Sequence, residues 1–212
     1  VSDRKIFSKS FIFSPFQENT YVLYNDSGNA VIIDPGMQNR AEEEELTNFI
    51  KDNNLKVTRV LLTHAHIDHV FGLNYATGTF KVPVGMHKDS IPVLKQVPAH
   101  ASMYGFNYEL GDYSIETIEE GDIVEFGMKA LFVPGHVPGH LVFYKEDQAE
   151  MWAGDVLFYG SIGRTDLPGG DHDLLINGIK SKLLPLNDDT VVHSGHGQDT
   201  KIGFEREHNP FL

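Results

Sequence analysis

Three histidines and an aspartate, His64, His66, Asp68 and His69, fall within six residues directly after the apolar run Val60-Leu61-Leu62. Imidazole nitrogen and carboxylate oxygen are the donors that divalent zinc and iron accept. Without a cation, so many titratable groups at the end of a buried strand would carry a heavy desolvation cost. The spacing divides them. In an extended segment residues two apart project to one side, so His64 and His66 can share an ion. Asp68 and His69 open the next element, where Val70, Leu73 and Ala76 recur at helical spacing and an acidic residue suits the helix N-terminus. They can turn toward a second ion.

Three further donors, in Pro134-Gly135-His136, Ala153-Gly154-Asp155 and Ser194-Gly195-His196-Gly197, each follow an apolar strand-like run and sit beside glycine. Glycine lets the chain turn sharply and lets backbone approach a site. The donors His64, His66, Asp68, His69, His136, Asp155 and His196 number seven, whereas a catalytic zinc takes about four ligands including a water. Two divalent ions are therefore expected. A carboxylate has two oxygens, which makes Asp155 the natural shared ligand. His64, His66 and His136 then serve the first ion, and Asp68, His69 and His196 the second. Zinc is the expected metal, although the same nitrogen and oxygen donors accept iron and manganese. The chain contains no cysteine, which removes thiolate ligands and disulfides and leaves a cytoplasmic location as the default.

These donors need strands that end together. Residues 6–13, 20–25 and 30–33 have strand character, with Ser27-Gly28-Asn29 as a tight hairpin turn. A helix over 40–52, carrying Leu46, Phe49 and Ile50 on one face, precedes a buried strand at 56–62 that delivers the histidine motif, followed by helix over 68–76. Strands are expected at 122–126, 129–133, 141–145, 151–153 and 190–193, with a helix over 171–184. The stretch 88–111, with Pro92, Pro98, His100, Met103, Tyr104 and Phe106, is less regular and suits either a satellite of the core or a helical lid. Two sheets with helices packed outside, an αββα sandwich of the α+β class, is the expected architecture, with residues 1–212 as one domain.

Composition narrows the partners. A net charge of −13 with no basic run longer than two residues argues against a nucleic-acid backbone. The acidic run over 42–45 suits the first turns of a solvated helix. A hydrophobic fraction of 41% without a bilayer-length apolar run predicts no membrane partner. The opening Val1-Ser2-Asp3-Arg4-Lys5 carries no signal-peptide pattern, leaving open whether residues precede Val1. A small molecule is the partner these features allow, and the oligomeric state stays open.

Taken together, Ile33-Asp34-Pro35-Gly36, Thr63-His64-Ala65-His66-Ile67-Asp68-His69, Pro134-Gly135-His136-Val137-Pro138-Gly139-His140, Gly154-Asp155-Val156-Leu157-Phe158 and Ser194-Gly195-His196-Gly197 resemble the metallo-β-lactamase superfamily, and within it the glyoxalase II-like hydrolases. The resemblance spans nearly the whole chain. It implies two mixed β-sheets flanked by helices and the ligand set above, with Asp34 a supporting acid at the floor of the site. His140 is implied to be supporting rather than ligating, and His193 yields to His196. His87, His100, His172 and His208 are left as ordinary histidines.

The segment from Gly160 to Asp171 resembles a short subclass of these hydrolases. Arg164 stands where longer members carry a basic residue that contacts glutathione. Its guanidinium could pair with a substrate carboxylate, or Arg164 and Asp166 could simply tie down the loop. The chain ends at Leu212 without the C-terminal helical domain that completes the glutathione pocket of the longer members. The implied activity is hydrolysis of a thioester of the S-D-lactoylglutathione type. A water bridging the ions, its pKa lowered from about 15.7 to about 7, would attack the carbonyl with Asp68 orienting it. The rivals are a persulfide dioxygenase using one iron on His64, His136 and Asp155, and another hydrolase of this fold such as a lactonase. The complete second-ion set and Ser161-Ile162-Gly163 favour the thioesterase.

Overall fold

The computed structural model describes residues 5–212, so the expected leading segment at 1–4 lies outside the described residues. Alternating apolar residues fold the first part of the chain into a meander of β1 (Ile6–Phe13), β2 (Glu18–Asn25) and β3 (Asn29–Ile33), paired antiparallel in sequence order. The expected hairpin turn is present. Gly28, at φ +79°, donates its N–H to the Asn25 carbonyl at 3.0 Å, a backbone region that glycine enters without steric cost. Next comes α1 (Arg40–Asp52), whose N-terminus is capped by the Asn39 side chain accepting from the Ala41 and Glu42 amides. It buries Leu46 and Ile50, while Phe49 is half-buried and packs edge-on against Phe11. β4 (Lys56–Leu61) then pairs parallel with β3.

The expected helix over 68–76 is two pieces, α2 (Ile67–Val70) and α3 (Leu73–Phe80). The break falls at Gly72, whose N–H donates to the Pro35 carbonyl at 2.8 Å. β5 (Val84–Met86) follows, and the irregular stretch then resolves into α4 (Ser90–Met103), which holds Pro98 in its interior. Pro92 sits in its first turn, where a missing amide leaves no helix bond unmade. β6 (Ile115–Thr117) completes a six-stranded sheet in the order β1-β2-β3-β4-β5-β6.

The expected strand at 122–126 does not form. Ile123 makes one isolated bridge to Lys129, and Glu125–Gly127 forms a tight turn in which Phe126 leaves extended backbone for the left-handed region at φ +61°. β7 (Lys129–Phe132), β8 (Leu141–Lys145) and β9 (Glu150–Gly154) run antiparallel in succession. A small hairpin of β10 (Leu157–Phe158) and β11 (Ser161–Ile162) leads to α5 (His172–Gly178), which continues through a wider π turn at Ile179–Leu183. β12 (Val191–Ser194) pairs parallel with β9, and β13 (Thr200–Lys201) and α6 (Ile202–His208) close the chain.

The second sheet, in the order β13-β12-β9-β8-β7, faces the first. Leu23, Val31, Ile33 and Leu61 pack between the sheets against Ala130, Phe143 and Trp152. The outer face of the first sheet buries residues of α1, α3 and α4, and that of the second buries Leu175 of α5 and Ile202 of α6. The architecture is thus the expected αββα sandwich. No helix among the described residues is long and apolar enough to cross a membrane.

Candidate metal centre

The parallel pairs β3–β4 and β9–β12 bring their C-terminal ends to one edge of the sandwich, where the Leu141 N–H donates to the Thr63 carbonyl at 2.8 Å and joins the sheets. Seven donors gather along this edge. His64 and His66 leave β4, Asp68 and His69 stand on α2, His136 follows β7, Asp155 follows β9 and His196 follows β12. His64, His66 and His136 place one donor atom each within 4.8 Å of one another, and so do Asp68, His69 and His196. Asp155 lies between the two groups. Its Oδ2 is 3.6 Å from Nε2 of both His136 and His196, and its Oδ1 is 3.3 Å from His69 Nε2. Asp68 Oδ2 is 3.1 Å from His196 Nε2.

A third trio, Asp34, His64 and His69, is equally close, but Asp34 is already engaged. Its Oδ1 accepts the Thr63 N–H at 2.7 Å, and its Oδ2 accepts the Thr63 hydroxyl at 2.5 Å and faces His69 Nδ1 at 3.0 Å. That contact turns His69 Nε2 toward Asp155. The Arg164 backbone carbonyl does the same for the other trio, accepting from His136 Nδ1 at 2.7 Å. The Arg164 guanidinium is elsewhere, gripping both Asp166 oxygens at 2.7 and 2.8 Å with its side chain 58% exposed. His140 stacks on His64 with ring centroids 4.6 Å apart, and its Nε2 accepts the Asp155 N–H at 3.1 Å. It fixes backbone rather than facing the donor atoms.

Sequence reasoning missed Glu18 and Asn19, having begun the second strand at Thr20. Glu18 is fully buried, with Oε2 2.7 Å from the Thr20 hydroxyl and Oε1 3.9 Å from His69 Nδ1. The Asn19 amide donates to the Ser194 and Gly197 carbonyls, both at 2.9 Å, and so clamps the loop carrying His196. The available signal was a run of three polar residues, Glu18-Asn19-Thr20, heading an otherwise buried strand. Gly195 is required here by space, since a Cβ would strike Asp155 Oδ1 and reach His69 Cε1 at 2.7 Å.

The two trios differ electrically. Burial holds His64 and His140 well below the ordinary imidazole value, brings His66 down to about 3, and lowers His136. Held neutral, the His64, His66 and His136 rings each have a lone pair with which to ligate. At His69 and His196 burial also opposes charge, but Asp155 and Asp68 outweigh it and both are raised. Those two aspartates are correspondingly lowered, burial opposing and His69 leading the pull. Burial pushes Glu18 up. His64 Nε2, His69 Nε2 and Asp155 Oδ1 are buried without hydrogen-bond partners among the described residues. Orphaned polar atoms are costly unless something absent from the chain satisfies them, and one nitrogen donor in each trio with an anionic oxygen between the trios fits divalent cations.

A cavity of about 950 Å³ opens over this edge, with His66, Asp68, His136, Asp155 and His196 at its floor and α4 along one wall. A second recess of about 890 Å³, beside Asn25, Glu125 and Lys145, contains none of the seven donors.

The family model of the metallo-beta-lactamase superfamily matches residues 13–196. A hydroxyacylglutathione hydrolase of Haemophilus influenzae, GloC, is 39% identical over 202 residues, which cover 93% of each chain. Among solved structures, a B3 metallo-beta-lactamase, BLEG-1, shares 39% identity with a TM-score of 0.83, over 97% of this chain and 99% of that one. TTHA1623 in a di-iron-bound form shares 37% identity with a TM-score of 0.87, over 97% of this chain and 100% of that one. The match covers every strand that ends at the donor cluster, and with it the chain belongs to the metallo-β-lactamase superfamily.

Proposed function

We propose that the protein is a two-metal hydrolase that cleaves a thioester of the hydroxyacylglutathione type. The observation that carries this reading is the pair of donor trios on either side of Asp155, at the floor of an open cavity. The similarity to a named hydroxyacylglutathione hydrolase supports the substrate class. His64, His66 and His136 would hold one ion and Asp68, His69 and His196 the other, with Asp155 shared. Zinc suits these donors, as do iron and manganese, and one similar structure is described as di-iron-bound. When bound, such ions supply an acidified water and polarise a carbonyl oxygen.

The chain's own residues do the rest. Asp34 and the Arg164 carbonyl hold His69 and His136 so that each Nε2 faces Asp155. Asp68, kept ionised by His69 and His196 against its burial, lines the cavity and can accept a proton from an attacking water and orient it. A thiol has a pKa near 8.5, so the thiolate departs without a strong acid to protonate it.

Metal quantification of purified protein together with hydrolysis of S-D-lactoylglutathione tests the reading. Two ions per chain and activity abolished by a chelator are expected. Undiminished turnover in metal-free protein overturns it. A single iron with oxygen uptake on a persulfide would select the dioxygenase instead, which leaves Asp68, His69 and His196 without a task. A β-lactam belongs in the same panel because BLEG-1 is described as a B3 metallo-beta-lactamase.

A further inference from the structure

The cavity above the donors has largely apolar walls. Phe16, Val93, Met103 and Tyr104 line it at and around α4, and Pro138 and Leu167 line it from the loops after β7 and β11. Met103 is 82% exposed and Tyr104 55%, although both are large side chains that gain by leaving water. The position of Tyr104 is set by packing. Phe16 lies edge-on to Tyr104 at 5.9 Å and against Phe71 and Phe106 at 6.0 and 5.9 Å, so an aromatic cluster ties the β1–β2 turn to the end of α4. The apolar wall is therefore built rather than incidental, and it runs down to His66 and Asp68 at the floor.

Fixed positive charge is nearly absent from the same cavity. Arg164 is the one arginine or lysine among its lining residues, and both of its guanidinium hydrogen bonds go to Asp166. Asp89 adds a negative charge, and Gln96 and His100 offer hydrogen bonds without a permanent cation. Glutathione carries two carboxylates, and recognising both calls for more positive side chains than one arginine whose charge Asp166 already offsets. A chain of net charge −13 gives such an anion no long-range attraction either.

Keeping the thioester chemistry of that reading and departing from its glutathione carrier, we infer that the specificity of this site rests on an uncharged apolar arm. The substrate class is a thioester with an aliphatic or aromatic acyl group of medium length, lodged between the α4 wall and Pro138–Leu167, and the charged ends of a peptidic thiol are not read. A cavity of about 950 Å³ is at the large end of those that enclose drug-sized ligands.

The test separates binding from turnover. Metal-loaded full-length protein is titrated calorimetrically with uncleavable S-alkyl-N-acetylcysteamine thioethers from ethyl to octyl, and with S-alkylglutathiones of matching length. Affinity is expected to rise about fourfold per added methylene, with the glutathione series binding no tighter than the uncharged one. Replacing Met103→Ser and Tyr104→Ser together, at positions too exposed to hold the core, is expected to reduce that slope to less than twofold per methylene. Affinity independent of chain length overturns the inference. So does a glutathione series that binds tenfold tighter and loses that advantage in Arg164→Ala. The matching thioesters are assayed in parallel. A binding slope without cleavage would overturn the thioesterase reading and leave the apolar arm standing, whereas cleavage without a slope would do the reverse.

Discussion

Asp34 shows how much of a candidate metal centre is decided one bond away from the donors. Its two oxygens take the Thr63 amide and hydroxyl and face His69 Nδ1, so Asp34→Ala would take an acceptor from three buried groups at once. Residues that orient ligands in this way typically contribute 10–100-fold to metal affinity. Asp34→Ala is expected to weaken metal binding by about that factor, as measured by competition with a chromophoric chelator. At Gly195 the constraint is volume, and Gly195→Ala is expected to lose metal while keeping its circular dichroism spectrum, because the clash falls on Asp155 and His69 rather than on the core. That these seven side chains would converge was legible in the sequence, His64 to His69 from imidazoles dense after an apolar run and His136, Asp155 and His196 from a glycine beside each at a strand end. Glu18 was not, since a lone carboxylate at the head of a strand has the signature of a surface residue until the fold closes over it.

Among the elements, the loop after β12 depends on the head of β2. Asn19 holds it through two side-chain bonds, and its amide adds a third to the Gly195 carbonyl at 2.7 Å. Asn19→Ala leaves the His64–His66–His136 trio untouched and frees His196, so bound metal is expected to fall from two ions toward one per chain in a titration followed by mass spectrometry. Arg164→Ala is expected to keep full metal content, with turnover changed by less than about threefold, because the carbonyl that orients His136 stays and the guanidinium faces Asp166. Long alternating strands and the capped α1 could be read from periodicity. Strands of two or three residues such as β5, β6 and β13 carry too few positions to show a period. The break at Gly72 and the turn at Phe126 depend on contacts and dihedrals that no pattern of hydrophobicity encodes.

For the whole molecule, protonation and metal binding are linked. Between about pH 5 and 6.5 unfolding of the metal-free chain must protonate His64, His66, His136 and His140, which burial keeps neutral in the folded state. Stability therefore rises with pH in that window, the single buried Glu18 acting in the opposite sense. Above about 6.5 the sign reverses, because the folded chain retains protons on His69 and His196 that the unfolded chain releases. The melting temperature of the metal-free protein is expected to peak near pH 6.5 in a calorimetric series. Metal uptake should acidify an unbuffered solution as those two protons leave, and should stabilise by about 2.7 kcal/mol per site at a hundredfold excess over Kd. The path of the chain adds one more consequence. β1 to β6 form one sheet, and β7, β8, β9, β12 and β13 the other. Each donor trio draws two residues from the first half and one from the second, so each ion would act as a rivet through both plates. A molecule pulled apart across its sheets in an optical trap is therefore expected to yield at a distinctly lower force once its metal has been stripped.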